Sequence, residues 1–564
     1  MSQRERGGGR LKAARRPARD SDWTQARRPR PGRPADSANT PSVRRGGPGG
    51  YTASVPLISR IRPEQLYARR WQLLALTSVG AFMGPLDGSI VSVALPKMGR
   101  SLQLSFTASI WVQAVYLLVM AVLLIPLGRL ADQRGRVHYY LAGIAIFTVG
   151  SLSSGLSMNA GWLIGSRALQ GAGAALLVAT SAAIVTAVFP PQERGRALGI
   201  NVMAVYLGLS VGPPLGGFLT DHFGWRSIFF VNLPIGIAVA ACGYLLLPRH
   251  ERGDERAMRP DPLGAGLWGL TLVCLLVPLT FASQWGWTSP RTLGLLAVAA
   301  AGLAGFIVGE RRARGPLVDL DLLFHNRLFA AANLAALLNY MALGAISLLT
   351  AVYLEVVQGR SAGLTGWLML AQPAVMAALS PFSGRLSDRV GSRLLASGGM
   401  VIVAVGMLLL ATMPTSSGLV RVMASLGVVG LGMAAFSAPN MSAIMGSVQK
   451  RQLGLASAFV GTMRVTGQAL SVAVLGGIAA STLGPAGGRL LLRLGTPVPG
   501  QSHAAALAAT YVLHHYARGY HDAMVTGAAL ALVGALASLT RGQHVPQPAT
   551  GTPGPAGEGA SSSS

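Results

Sequence analysis

The chain has 564 residues, 51% hydrophobic and only 12% charged, with 47 Lys and Arg against 20 Asp and Glu. A soluble chain carries roughly twice that charged fraction, so an ordinary cytosolic enzyme is excluded. The net charge of +27 does not point to nucleic acid, because 17 of the basic residues lie in residues 1–70 and most others fall between apolar runs.

Residues 1–70 are Arg-, Gly- and Pro-rich and read as a disordered basic cytoplasmic tail, with no apolar stretch that would serve as a signal peptide. Beyond it come apolar runs long enough to cross a bilayer, which takes about 20 residues. They are rich in Leu, Ala and Val and do not alternate, so they are helices and not barrel strands. Spans are expected near 71–95, 109–128, 138–157, 162–189, 197–220 and 225–247, then 262–283 and 291–309. Six more follow near 328–354, 363–384, 393–413, 418–446, 453–483 and 521–541. Residues 484–520 are expected to be a long outer loop and 542–564 a second disordered tail. Cys242 and Cys274 fall inside apolar runs and read as packing residues. With three lysines, none in a Gly-rich loop, the phosphate-cradling G-x-x-x-x-G-K-S/T loop is missing. No cofactor, metal cluster or nucleophile constellation is expected.

The basic residues set an orientation. With the N-terminus inside, the inner loops carry 18 Lys and Arg and the outer loops 9. Cytoplasmic loops are enriched in these residues, so both termini are expected in the cytoplasm. The chain also repeats itself. GRLADQRGR at Gly128 recurs as GRLSDRVGSR at Gly384, and the loop at Gln192–Arg194 realigns with Gln449–Arg451 at nearly the same offset, 256 and 257. The expected fold class is therefore an all-α polytopic membrane protein made of two six-helix halves related by pseudo-two-fold symmetry, plus two inserted helices. The expected boundaries are 71–247 for the N-terminal half, 248–327 for the linker with the inserted helices, and 328–541 for the C-terminal half.

Asp87 is the one acid deep in the N-terminal half. A carboxylate at that depth costs about 2.5–3.5 kcal/mol on insertion scales and is functional by default. Arg167, in LIGSRALQGAGAAL, also lies inside a span and needs an acid, a carbonyl or water. Burial favours a neutral carboxyl and a nearby guanidinium favours the anion, opposing effects that suit a proton-exchanging pair. At the repeat offset Asp87 falls on Leu343 or Gly344 and Arg167 on Ala424. The loops are duplicated but the embedded charges are not, so proton coupling is expected in the N-terminal half.

Four segments carry a resemblance. PLDGSIVSVALP at Pro85–Pro96 is similar to the signature L-D-x-T/S-I-V-N/S-V-A-L-P. Arg167, Gln170, Gly171 and Gly173 resemble an R-x-x-x-G motif of the fourth helix. GLSVGPPLGG, with Gly208, Gly212, Pro213, Gly216 and Gly217, resembles the G-x-x-x-G-P-x-x-G-G antiporter motif and is followed by WRSIFFVNLPIG. The loop with Gly128, Asp132, Arg134, Gly135 and Arg136 is similar to G-x-L-A-D-x-x-G-R/K, and Gly384, Asp388 and Arg389 repeat it. The chain thus resembles the major facilitator superfamily, in its fourteen-helix drug:proton antiporter branch, over roughly residues 71–541. The resemblance implies a proton-coupled exporter of small amphipathic or cationic compounds in the cytoplasmic membrane, with both termini cytoplasmic. It implies that the repeated loops latch the cytoplasmic side, with Asp132 capping the next helix and pairing with Arg, and that the helix-five motif marks an exporter.

Its partners are then a small-molecule substrate, protons and the lipid bilayer, with no nucleic acid; a periplasmic adaptor is expected only in a Gram-negative cell. A proton-coupled importer and a non-transporting receptor or enzyme are the alternatives. Gln170 and Glu355 are candidates for the cavity or its mouth. For Arg464 two readings stay open, a cavity lining or a pair with an interfacial acid.

Overall fold

The computed structural model describes residues 67, 69–190, 192–246, 261–313, 317, 320–449, 452–494 and 503–541. The expectations for the two tails, for the basic segment 249–259 and for Lys450 and Arg451 lie outside them.

Fourteen helices among the described residues are long and apolar enough to cross a membrane. In the first half these are α1 (Arg70–Ser101), α2 (Phe106–Arg134), α3 (Arg136–Gly155), α4 (Ala160–Val188), α5 (Arg194–His222) and α6 (Ser227–Leu246). Two inserted helices follow, α7 (Pro262–Trp285) and α8 (Pro290–Arg312). The second half contains α9 (Arg327–Val357), α10 (Ala362–Ser387), α11 (Ser392–Ala411), α12 (Leu419–Gly446), α13 (Leu453–Ser481) and α14 (His503–Leu539). Short polar residues start many of them. Ser105, Asn159, Asp261, Ser289, Asn326 and Ser361 each accept a hydrogen bond from a first-turn backbone N–H, satisfying a donor that has no helical partner.

The packing reproduces the internal repeat. In the first half the first helix packs on the fifth, the second on the fourth and the third on the fourth. The same pairs recur in the second half as α9 with α13, α10 with α12 and α11 with α12. Between halves, α2 packs on α13 and α10 on α5, the reciprocal contacts that a two-fold relation requires. The insert sits to one side, with α7 lying against both α2 and α13. The repeated loops share their backbone as well as their sequence. Gly135 (φ +111°) and Gly391 (φ +92°) each join two helices in a conformation that side chains rarely adopt.

One expectation fails. Residues 484–520 are not a loop, because an amphipathic helix covers Gly484–Leu494 and α14 begins at His503. Leu491 and Leu492 are buried, as are Ala509, Val512, Tyr516 and Tyr520. His514, His515 and Arg518 interrupt the apolar run and hide this part of α14, although the Ala-rich segment before them is strongly helix-forming.

Candidate functional site

Asp87 and Arg167 meet in an ion pair between α1 and α4, and both side chains are 0% exposed. The carboxylate is held on both oxygens. Arg167 donates to Oδ2, while Gln170 Nε2 (2.7 Å) and Asn232 Nδ2 (3.1 Å) donate to Oδ1. Ser151 on α3 accepts from both amides, at 3.2 and 3.0 Å, and its own hydroxyl donates to the Phe229 carbonyl. Arg167 also donates to Gln170 Oε1 at 2.5 Å and to the Val112 carbonyl at 3.2 Å, and its guanidinium lies 4.4 Å from the Tyr116 ring centre. The carboxylate is fully bonded and the guanidinium bonded through Nε and Nη1, while Arg167 Nη2 is buried without a partner among the described residues. Bonds of this kind are what make a buried pair tolerable. Arg167 and Gln170 reach one carboxylate because residues three apart share a helix face.

This places Gln170 in the Asp87 cage and not at a cavity mouth. Asn232, Ser151 and Tyr116 belong to the cage too, and the sequence reading did not single them out. Asn232 was legible in part, as the one amide in the WRSIFFVNLPIG segment. Asp87 is enclosed by the N-terminal half, so a substrate in a cavity between the halves does not touch it in this conformation.

The glycine motif of α5 has two working faces. Gly208, Gly212 and Gly216 form one stripe that meets Phe82, Leu86, Ser89 and Ile90 on α1, and a Cβ at Gly208 would lie 2.6 Å from the Phe82 carbonyl oxygen. Pro213 and Gly217 form the other. The Pro213 carbonyl abuts Gly366 and Gly217 abuts the Ala362 carbonyl, both on α10. Small residues allow this backbone contact. α5 remains one helix through Pro213 and Pro214. The seam between halves is tied further at the same end, where Lys97 pairs with Asp221 at 2.6 Å and the Gly363 N–H donates to Asp221 at 2.6 Å. Glu355 is enclosed near this seam, in a π-helical turn over Tyr353–Val357, and is 6% exposed, so it does not face an open mouth.

At the opposite end, Asp132 pairs with Arg136 at 2.6 Å and Arg136 donates to the Ala183 carbonyl of α4 at 3.3 Å. Asp132 does not cap α3, whose first turn has no side-chain cap. Arg134 and Arg389 are exposed, Gly128 lies 3.5 Å (as a built Cβ) from Ala179, and Gly384 is half-buried. The Asp388 side chain lies outside the described atoms.

Arg464 is half-buried near the middle of α13 and has no ion-pair partner among the described residues. It lies within electrostatic reach of Tyr206 on α5 and Tyr340 on α9.

The profile of the Major Facilitator Superfamily matches residues 77–472. The multidrug resistance protein Stp of Mycobacterium tuberculosis is 38% identical over 73% of this chain and 77% of its own length. The riboflavin transporter RibZ of Clostridioides difficile is 32% identical over 74% of this chain and 89% of its own. The tetracenomycin C resistance and export protein of Streptomyces glaucescens is 32% identical over 74% and 78%. Among solved structures, a bacterial homologue of the lysosomal transporter Spinster, inward-facing and unoccupied, superposes with a TM-score of 0.58 at 17% identity, covering 84% of this chain and 97% of that one.

Proposed function

Because this chain belongs to the major facilitator superfamily, we propose that it is a proton-coupled exporter of small amphipathic molecules across the cytoplasmic membrane. The observation that carries the reading is one turn of α1. Asp87 faces the Arg167 cage, while its neighbours Leu86, Ser89 and Ile90 form the surface against which the glycine stripe of α5 packs. The other face of α5 seals α10. A proton arriving at Asp87 cancels the carboxylate charge, turns one of its oxygens into a donor and weakens its hold on Arg167, Gln170 and Asn232. α1 is then freed from α4 and α6, and its movement reaches the seam directly through α5. Protonation shifts the equilibrium between states because the charge is better satisfied in one than in the other.

With both termini cytoplasmic, the Lys97–Asp221–Gly363 end is the outer one, and the described conformation is closed outside. The Asp132–Arg136 pair and its repeat then form the cytoplasmic latch. Relatives named for antibiotic resistance and export support the export direction, and a relative named for riboflavin keeps metabolites within the substrate range. The test is accumulation of candidate dyes and antibiotics in expressing cells. Export predicts that a protonophore raises accumulation; a fall would mark an importer, and no change would remove proton coupling from the account.

A further inference from the structure

The sequence suggests cationic substrates, but the carboxylates in and near the seam between the halves are already bonded or enclosed. Asp87 is unavailable, since both oxygens are bonded inside the N-terminal half. Asp221 is paired with Lys97, and Glu355 is enclosed near the closed seam. Among the described residues, a charge away from the helix ends and within electrostatic reach of a residue of the other half is Arg464, which acts on Tyr206 of α5.

Residues of four helices form a polar group here, in which Tyr206 and Tyr340 lie within electrostatic reach of the guanidinium. α13 lies flat on α9 one turn beyond it, where a Cβ at Gly467 would meet the Leu337 carbonyl and the Tyr340 Cβ at 2.8 Å each. This fixes Arg464 beside Tyr340. Tyr206 approaches from α5, on the other half, and lies beside Ser437 of α12. Tyr206, Tyr340, Ser437 and Arg464 are each partly exposed. A guanidinium without an ion-pair partner among the described residues presents planar donors to an anion, and the two tyrosines within its electrostatic reach add aromatic side chains to the same site. A cation placed there meets like charge.

We propose that Arg464, with Tyr206 and Tyr340, forms the substrate-recognition site, and that it selects planar aromatic compounds bearing a carboxylate or an acidic phenol over cationic ones. The inference rests on the reading of the chain as a transporter with its site between the halves, but not on proton coupling. Arg464 is the specificity-determining residue. Because the site draws on α5 from one half and on α9, α12 and α13 from the other, a substrate bound there contacts both halves at once.

The test uses the full-length protein in lipid nanodiscs, without any gradient, and measures binding of two fluorescent probes against empty nanodiscs. Fluorescein is the anionic planar probe and ethidium the cationic one. Fluorescein is expected to bind at least tenfold more tightly than ethidium. Arg464→Gln is expected to weaken fluorescein at least tenfold, as loss of charge-assisted hydrogen bonds does, and to leave ethidium unchanged or improved. Arg464→Lys keeps the charge but not the fork and should fall between. Equal or tighter binding of ethidium by the wild type overturns the proposal, as does an equal loss of both probes in Arg464→Gln, which marks a structural role. Preference for fluorescein in a protein that fails to respond to a protonophore would leave this proposal standing and sink the coupling instead.

Discussion

Arg167 on α4 closes an ion pair on Asp87 of α1, and neither side chain reaches solvent. Breaking such a pair by removing one partner costs about 3–5 kcal/mol because the other charge is left buried and unpaired. Arg167→Ala is therefore expected to lower the thermal stability of the purified protein more than Asp87→Asn together with Arg167→Gln, which removes both charges. Equal melting temperatures for the two variants would mean that leaving the Asp87 charge buried without its partner costs nothing.

The α5–α10 seam leaves no room for a side chain at Gly217. Gly217→Val is expected to insert and express, since it adds apolar area, but to wedge α5 away from the Ala362 carbonyl. Overpacking of this kind costs about 1–3 kcal/mol, here taken from the closed state. In a protein without Cys242 and Cys274, a cysteine at Ser361 should react faster with a membrane-impermeant thiol reagent when Gly217→Val is present. Unchanged reactivity would show that the seam does not depend on this contact.

Asp132 holds Arg136, and Arg136 in turn holds the Ala183 carbonyl of α4. Asp132→Asn should cut transport at least tenfold while membrane insertion stays normal, because it removes a charge and not apolar surface. The comparison is Asp388→Asn in the repeated loop. Normal transport by Asp132→Asn with loss in Asp388→Asn would assign the latch to the other half.

Orientation follows from charge. Reporter fusions after Arg259 and after Ser564 are expected to be cytoplasmic, and one at Gly500, between the amphipathic helix and α14, to be external. A cytoplasmic signal at Gly500 would reverse the closed end and with it the direction assigned to the described state.

The helices were legible because membrane spans must be apolar along their whole length, and the two-half plan because two loops repeat at nearly one offset. Asp87 and Arg167 could be paired from sequence because few charges sit deep in this half. Asn232 and Ser151 left a weaker trace, since a single amide or hydroxyl in an apolar run carries no mark of what it faces. Gln170 reads from sequence as a candidate for the cavity or its mouth, although its spacing from Arg167 already puts it on the same helix face. Sequence also cannot say which side of a helix looks into the space between halves. Asp87 was therefore available as a receptor for cations on paper, while the structure turns it inward and leaves Arg464 beside that space.

Proton release tests coupling through Asp87 most directly. Purified protein in weakly buffered detergent solution, mixed with a compound whose accumulation the protonophore test shows to depend on the transporter, should release protons that a pH-sensitive dye counts. Wild type is expected to release them and Asp87→Asn with Arg167→Gln to release none, while both still bind the compound and the variant still exchanges it downhill. Proton release by the variant equal to that of wild type would contradict the account and place the coupling carboxyl elsewhere, with Glu355 the next residue to test.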